Sequence, residues 1–555
     1  MPLGCDSIVA VPSIEQPTIR RAARAEGSVQ LSQVGSLYRS EVPMSRPVII
    51  VNSGQLPWVV DQAEQAILRD YESWGLYQHS GSLVRVASAE ADKDKKIHRP
   101  DDAIVLRHAT VPMLQDDFGR AIAWQNSKHN DIDCPAKVAA IYLSRAGLWK
   151  LPTLVGVVNA PIVRPDGSVL VKPGFDEATG LLLHSDIAWK PPADLSKAAV
   201  DVAVETLRAP FCEFPVAPEG LSVVISAILT SLQRRLLFSA PAHAIDAPAQ
   251  GSGKSLITDS VSIVATGHET VSTSVNVDPD ELRKKLVSVL LAGDLICDLD
   301  NIVRPLASEA LATILTKPFY QDRILGLSRM TEQLPTNVLF LLTGNNLEFS
   351  GDMPSRVIIA RIEPDCEKPE QRTFNIPDLR AHIREHRVEL VQAALTILQA
   401  YQKQGRPDQS LKPFGRFEQW SREIRAALVW AGLPDPCATR DSIDNADPER
   451  DATLAIFGEW FKTAAATAIT LTELIHRAAA NPDFHAALLS VAADKDRPEQ
   501  VSARRLGVWC RNRKGRVYGD FKLKEIGHAH GGLKTYAVLR IESVTTIKGD
   551  MGNAD

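Results

Sequence analysis

Nine residues constrain this chain more than any others: Ala247-Pro248-Ala249-Gln250-Gly251-Ser252-Gly253-Lys254-Ser255. An apolar stretch, Ala242 to Ala247, precedes them, and a helical pattern from Leu256 to Thr266 follows. Strand, glycine-rich turn, Lys-Ser and helix in that order form a P-loop, with Pro248 standing where the first glycine is usual. Gly251 and Gly253 let backbone N–H groups curl, with that of Ser252, around a β-phosphate, and the helix N-terminus adds positive potential. Lys254 would reach the β- and γ-phosphates and Ser255 would ligate Mg²⁺. A chance Gly-Ser-Gly loop would not carry all these features in order, so ATP and Mg²⁺ are the expected cofactors.

A phosphate site of this kind needs an acidic strand end for its metal. Asp294-Leu295-Ile296-Cys297-Asp298-Leu299-Asp300-Asn301 supplies one. The helix before it has clear limits: Asp278 can cap it, Pro279 suits its first turn, Glu281 closes a capping box and Gly293 stops it. Asp300 is the first choice for the metal-binding carboxylate and Asp298 the second. Many P-loop ATPases place Glu next, to orient the attacking water; here it is Asn301, which cannot accept a proton but can orient water. A third apolar strand, Asn337 to Leu342, ends in Thr343-Gly344-Asn345-Asn346. A polar residue at this place resembles the sensor-1 position of the AAA+ class, which would stand beside the γ-phosphate, with Asn345 first and Asn346 second. Arg356, in Asp352-Met353-Pro354-Ser355-Arg356, and Arg323, in Asp322-Arg323-Ile324-Leu325-Gly326, compete for the role of an arginine acting on a neighbour's γ-phosphate.

The chain has 555 residues, 45% hydrophobic and 23% charged, with 62 Lys and Arg against 67 Asp and Glu, net −5. Those values describe a globular protein of three or four domains, not a disordered, fibrous or uniformly basic one. The seven cysteines are odd in number and none sit at metal-clip spacing, so a reducing, cytoplasmic setting with mostly buried thiols is expected. No apolar run reaches the ~18–20 residues of a membrane span. Residues 1–45 read as a flexible tail and 46–200 as an α+β accessory module with hairpins between Pro152 and Leu183. Residues 201–375 read as the ATPase core, where short strands alternate with helices around a mostly parallel sheet. Helices fill 376–490, a basic winged-helix-like domain spans 491–548, and 549–555 are a tail. Within the core, Leu221, Val224, Ile225, Ile228, Leu232 and Leu236 fall on one helical face.

This order of motifs resembles the ATPase of phage, plasmid and integrative-element primase–helicase replication proteins, related to superfamily 3 helicases within the AAA+ class. The stretches that carry the resemblance are Ala247–Ser255, Leu291–Ile302, Asp322–Gly326, Thr343–Asn346 and Asp352–Arg361 followed by Glu367–Arg372; the segment Ala160 to Gly180 also looks like the one preceding that ATPase. The resemblance covers about residues 46–435. It implies an ATP-driven ring, commonly a hexamer, translocating on DNA and hydrolysing ATP at a site shared between subunits. No primase site stands out in residues 1–200, where Asp131-Ile132-Asp133 is an acidic pair that reads as a loop; the primase would be a separate protein.

Two regions read as DNA contacts. Between Asn301 and Asn337, Lys317, Phe319, Tyr320, Arg323 and Arg329 combine cations with aromatics, as a single strand in the ring would require. From Val501 to Lys548, eleven Lys and Arg face three acids, +8 in all, which leaves −13 for the remaining residues. There a helix Ser502–Asn512 would carry Leu506, Val508 and Trp509 inward and Arg504, Arg505 and Arg511 outward. Gly515–Tyr518 and Tyr536–Leu539 would be wing strands, and duplex DNA the partner. A DNA helicase or translocase is the leading reading. A nucleotide-switched DNA-binding or assembly factor, motivated by Asn301, is the alternative, and a P-loop small-molecule kinase leaves the accessory domains without a role.

Overall fold

The computed structural model describes residues 46–541, apart from 90–96, 101, 276–277, 324–329, 367, 441–447 and 530–531. The expected tails 1–45 and 549–555, Ile324 to Gly326 of the Asp322–Gly326 stretch, Glu367 of the Glu367–Arg372 stretch, Arg329 of the expected DNA contact, and Glu542 and Lys548 lie outside the described residues.

The chain is a mixed α/β protein built on a five-stranded, all-parallel sheet. Its strand order is Val271–Ser274, Ile296–Ile302, Leu339–Asn345, Ala242–Ala247, Val357–Arg361. A parallel sheet is covered on both faces, so its strands are continuous apolar runs rather than alternating ones. All six residues of Ala242–Ala247 are buried, as are the first six of Leu339–Asn345. The order places the strand Leu339–Asn345 between the P-loop strand and the acidic strand. All three therefore end at the same edge, side by side.

Helix Lys254–Thr266 packs against Pro218–Gln233 and Leu379–Glu385. Pro218–Gln233 differs from the one-faced helix that its periodicity predicts. Every residue from Ser222 to Gln233 is buried, because the helix lies between the sheet and the helices beyond it. Its hydroxyls are satisfied within the helix: Ser226 donates to Val223 O (2.7 Å), Thr230 to Ser226 O (2.6 Å) and Ser231 to Ile228 O (2.7 Å). It also stops at Gln233, and a 3₁₀ turn, Arg234–Leu236, replaces its last turn. Buried Arg234 donates to the carbonyls of Val338 (3.0 Å), Thr336 (2.6 Å) and Leu237 (2.7 Å), and burial lowers its guanidinium to about 9.

The N-terminal residues form a parallel pair, Val48–Val51 with Ala123–Asn126, and a meander of Leu76–His79, Ser82–Ser88 and Ile104–His108. Between Pro152 and Leu183 two hairpins form, Ile162–Val163 with Val169–Leu170 and Gly174–Asp176 with Leu181–Leu183; Gly156–Val158 adds a parallel strand that hairpin chemistry does not foresee. Asp131 and Asp133 are exposed outside regular strands. A buried ion pair ties this part to the central sheet: Arg99 donates from Nε (3.0 Å) and Nη2 (2.8 Å) to Asp294, just before the acidic strand.

The C-terminal residues have their own core, in which Leu506, Trp509 and Cys510 meet Phe457, Trp460, Phe484 and Val538. Helices Pro448–Ala464 and Leu471–Ala478 pack on a sheet ordered Ile469–Thr470, Lys534–Arg540, Phe521–His528, Val517–Tyr518, and Pro482–Ala492 and Ala503–Arg513 pack on those helices and on each other. Two expectations need correction. Val508 is 46% exposed rather than inward, because Cys510 takes its place on the buried face. The long hairpin pairs Phe521–His528 with Lys534–Arg540, and Val517–Tyr518 is only a short strand at its edge. Among the described residues no helix is long and apolar enough to cross a membrane.

Candidate functional site

The stretch expected to be a P-loop, Ala247–Ser255, turns at two glycines that need left-handed backbone, Gly251 (φ +72°) and Gly253 (φ +91°). Gly253 also has no room for a side chain, since a Cβ there would lie 2.6 Å from Phe214 Cε1. Two bonds to one carbonyl close the loop: Ser252 Oγ (2.8 Å) and Lys254 Nζ (3.1 Å) both donate to Ala249 O. Helix Lys254–Thr266 starts at Gly253 without a side-chain cap and carries no acidic residue in its first turn. Ser255 is exposed in its first turn.

Lys254 Nζ also donates to Asn345 Oδ1 at 2.7 Å. The P-loop cation and the end of the neighbouring strand therefore meet. Partial burial lowers the Lys254 ammonium from its ordinary value, and the charges of Asp246 and Asp300 oppose that shift. Asn346 is placed differently. Its φ is +51°, and its Oδ1 accepts from Arg361 Nη2 at 3.0 Å.

The two carboxylates of the acidic strand share a face, as residues two apart must. Asp298 is 2% exposed and accepts from Thr258 Oγ1 (3.0 Å), one turn below Ser255. Asp300 is half-buried, further along toward the loops, and accepts from Thr343 Oγ1 (2.6 Å). Burial first, and the charge of Asp300 next, push the Asp298 carboxyl well above the usual carboxylate range. The strand then bulges between Leu299 and Ile302. Asn301, at φ +58°, is exposed there, and its N–H donates to Asp300 Oδ1 (2.8 Å). Asn tolerates that conformation better than most residues, which gives Asn301 a local structural reason beside any chemical one.

The remaining arginines separate by exposure. Arg356 is 4% exposed and turned back on its own 3₁₀ turn, where it donates to Asp352 O (2.5 Å) and Asp352 Oδ2 (3.0 Å). Arg323 is exposed, next to Asp322, which accepts from Arg283 at 2.5 Å. Arg323 lies in an antiparallel excursion in which Phe319–Tyr320 pairs with Leu334–Pro335 and Arg323 bridges Met330. Lys317, Phe319 (52%) and Met330 (48%) are exposed on it, and Tyr320 is half-buried.

Sequence reasoning missed two partners of the loop. Asp246, on the P-loop strand itself, is fully buried; it accepts from Leu347 N (2.9 Å) and from Arg361 Nη1 (2.5 Å). Arg361 thereby holds the P-loop strand and Asn346 together. Glu213 accepts at its carboxylate from Asn375 N (3.0 Å), and its carbonyl accepts from Arg372 (2.9 Å). An acid inside the otherwise apolar stretch Ala242 to Ala247 signals the first; nothing local signals the second.

No family model matches the chain and no curated protein matches it. Among solved structures it is similar to an apo structure of the NrS-1 C-terminal region, with 12% identity over 86% of this chain and 98% of that one at a TM-score of 0.37. It is also similar to an inhibitor-bound JCV helicase, with 14% identity over 46% of this chain and 67% of that one at a TM-score of 0.20.

Proposed function

We propose that the chain is an ATP-dependent DNA helicase or translocase serving replication of a mobile genetic element, with an AAA+-like core whose ATP site is shared between subunits of a ring. The observation that carries the nucleotide site is the 2.7 Å contact of Lys254 with Asn345, at the same sheet edge as Asp300. Lys254, the backbone of Gly251, Ser252 and Gly253, and the uncapped helix end form an anion cradle. The oxygen donors Ser255 and Asp300 suit Mg²⁺, which would neutralise charge on the β- and γ-phosphates. Asp300 is the better metal ligand of the pair, because Asp298 is buried and biased toward its neutral form. Asn345 orients the γ-phosphate end and Asn301 the water. Arg323 is exposed for a neighbouring subunit, whereas Arg356 would first have to leave Asp352.

Single-stranded DNA would lie against Lys317, Phe319 and Arg323, and duplex against the C-terminal domain, with priming left to a separate protein. The test is ATP turnover with and without DNA, together with separation of a forked duplex. DNA-stimulated turnover with strand separation is the expected result. Turnover indifferent to DNA would overturn the reading. Binding of nucleotide and DNA without strand separation would instead favour the switch reading, which the amide of Asn301 motivates.

A further inference from the structure

The sheet order decides on which side of the P-loop a nucleotide's base must lie. The metal and γ-phosphate side is the one toward Leu339–Asn345 and Ile296–Ile302, where Asn345 and Asp300 stand. The ribose and base must leave on the opposite flank, over the edge strand Val357–Arg361.

Two segments of the chain cover that flank. The first runs through Glu213 to Val216, held down where Val216 bridges Ile362 and Glu363 N donates to Pro215 O (2.9 Å). The second runs from Pro369 to Ile376. Each touches one glycine of the loop: the Phe214 ring lies against Gly253, and the Glu370 Cβ would be 2.8 Å from a Cβ on Gly251. Glu213 fastens the two segments together, accepting from Arg372 at its carbonyl and from Asn375 at its carboxylate.

Between them stands a tilted stack of side chains. The rings of Phe214 and Phe374 lie 6.1 Å apart, tilted by 31°, and the Arg372 guanidinium sits over Phe374, 5.0 Å from its centroid. Phe214 is buried, while Phe374 and Arg372 are half-buried. The hydrogen bond from Arg372 to the Glu213 carbonyl holds the guanidinium plane in place. A guanidinium plane backed by an aromatic ring is a surface on which a nucleobase stacks.

We propose that Phe374 and Arg372 form the platform on which the base of the bound nucleoside triphosphate stacks. This rests on the P-loop reading and adds the recognition of the base. Stacking reads the π-face of a base rather than its edge, so the platform accepts adenine and guanine alike and separates a nucleotide from a bare polyphosphate.

The experiment is equilibrium binding of ATP, GTP and inorganic tripolyphosphate to the full chain and to Phe374→Leu and Arg372→Ala. Phe374→Leu keeps an apolar side chain against Phe214 but removes the π-face. ATP and GTP affinity should fall roughly five- to a hundredfold in each variant, with tripolyphosphate affinity unchanged. Phe374→Tyr should restore ATP affinity. Unchanged ATP affinity in both variants would overturn the platform, and so would equal weakening of ATP and tripolyphosphate, which would mean only that the loop is disturbed. A wild-type chain that binds neither ligand would remove the P-loop reading and the platform with it, whereas tripolyphosphate binding unaffected beside unchanged ATP binding would remove the platform alone.

Discussion

At the two ends of the parallel sheet, buried carboxylates are held one by one by arginines, and half-buried Lys254 has its own polar partner. Asp246 is held by Arg361, Asp294 by Arg99, and Lys254 reaches Asn345. In the C-terminal domain the charges stand outside a separate apolar core. Arg504, Arg511, Lys514, Arg516, Lys524, Lys534 and Arg540 are all exposed around the helix Ala503–Arg513 and its hairpin. The first arrangement suits chemistry on a small anion, where each group must sit within a fraction of an ångström. The second suits a long polyanion, where many weak contacts add and no single one decides. The sheet region should therefore fail abruptly on single substitutions, and the C-terminal domain should fail by degrees.

The sharpest break is expected at Lys254. Lys254→Ala should reduce ATP turnover by at least about a hundredfold, measured as steady-state phosphate release, as loss of a preorganised charged donor does. Intact turnover would remove the P-loop from the mechanism. Next comes Arg99→Met, which removes the bidentate partner of the buried Asp294 carboxylate and leaves the Arg235 charge facing it. Denaturant unfolding should show a loss of about 3–5 kcal/mol. A loss below about 1 kcal/mol, the value of an exposed pair, would place Arg99 with the surface charges and blur the contrast.

The C-terminal side is tested by Arg504→Ala with Arg511→Ala. Duplex binding should weaken, and the slope of log affinity against log salt should become shallower by about one for each phosphate no longer neutralised. Turnover without DNA should stay at the wild-type level. A collapse of binding from one of these changes alone would contradict the distributed picture. The smallest effect concerns Glu525, whose carboxyl is lowered from 4.5 to about 2 by hydrogen bonds from Lys534 and Lys514. A lowered carboxylate stabilises the hairpin above its unfolded value, and that stabilisation is lost as pH falls from about 4.5 through about 2. Glu525→Gln should flatten this part of the pH–stability curve in thermal melts, and salt should shrink the difference between the two proteins.

Much of the central sheet was legible because its signals are local. Gly251 to Ser255, the caps Asp278 and Gly293, and the apolar runs before Ala247 and Thr343 each act within a few residues. The cap is present as expected, with Asp278 Oδ1 accepting from Asp280 N at 2.9 Å. The C-terminal helix was legible in outline, yet the expectation followed the hydrophobicity of Val508 rather than its position. Three and four residues on from Leu506 stand Trp509 and Cys510, so helical spacing places Cys510, not Val508, on the buried face. The all-round burial of Pro218–Gln233 was hidden for a related reason. Ser222, Ser226, Thr230 and Ser231 look like a polar face until each hydroxyl is seen to bond its own backbone.

The residues alone were enough to mark a glycine-rich turn between strand and helix, an acidic strand and a polar strand in that order, and a basic end on an acidic chain. Such features depend on periodicity, turn chemistry and charge, which act over short distances along the chain. Folding added the placement: Asp298 beneath the loop and Asp300 at its rim, Arg361 on Asp246, and Phe374 beside Phe214. Those pairings join residues as many as 160 positions apart along the chain, as Phe374 and Phe214 are. They arise from which strands lie side by side and from the cost of burying a charge without a partner, and neither is written in the neighbourhood of any one residue.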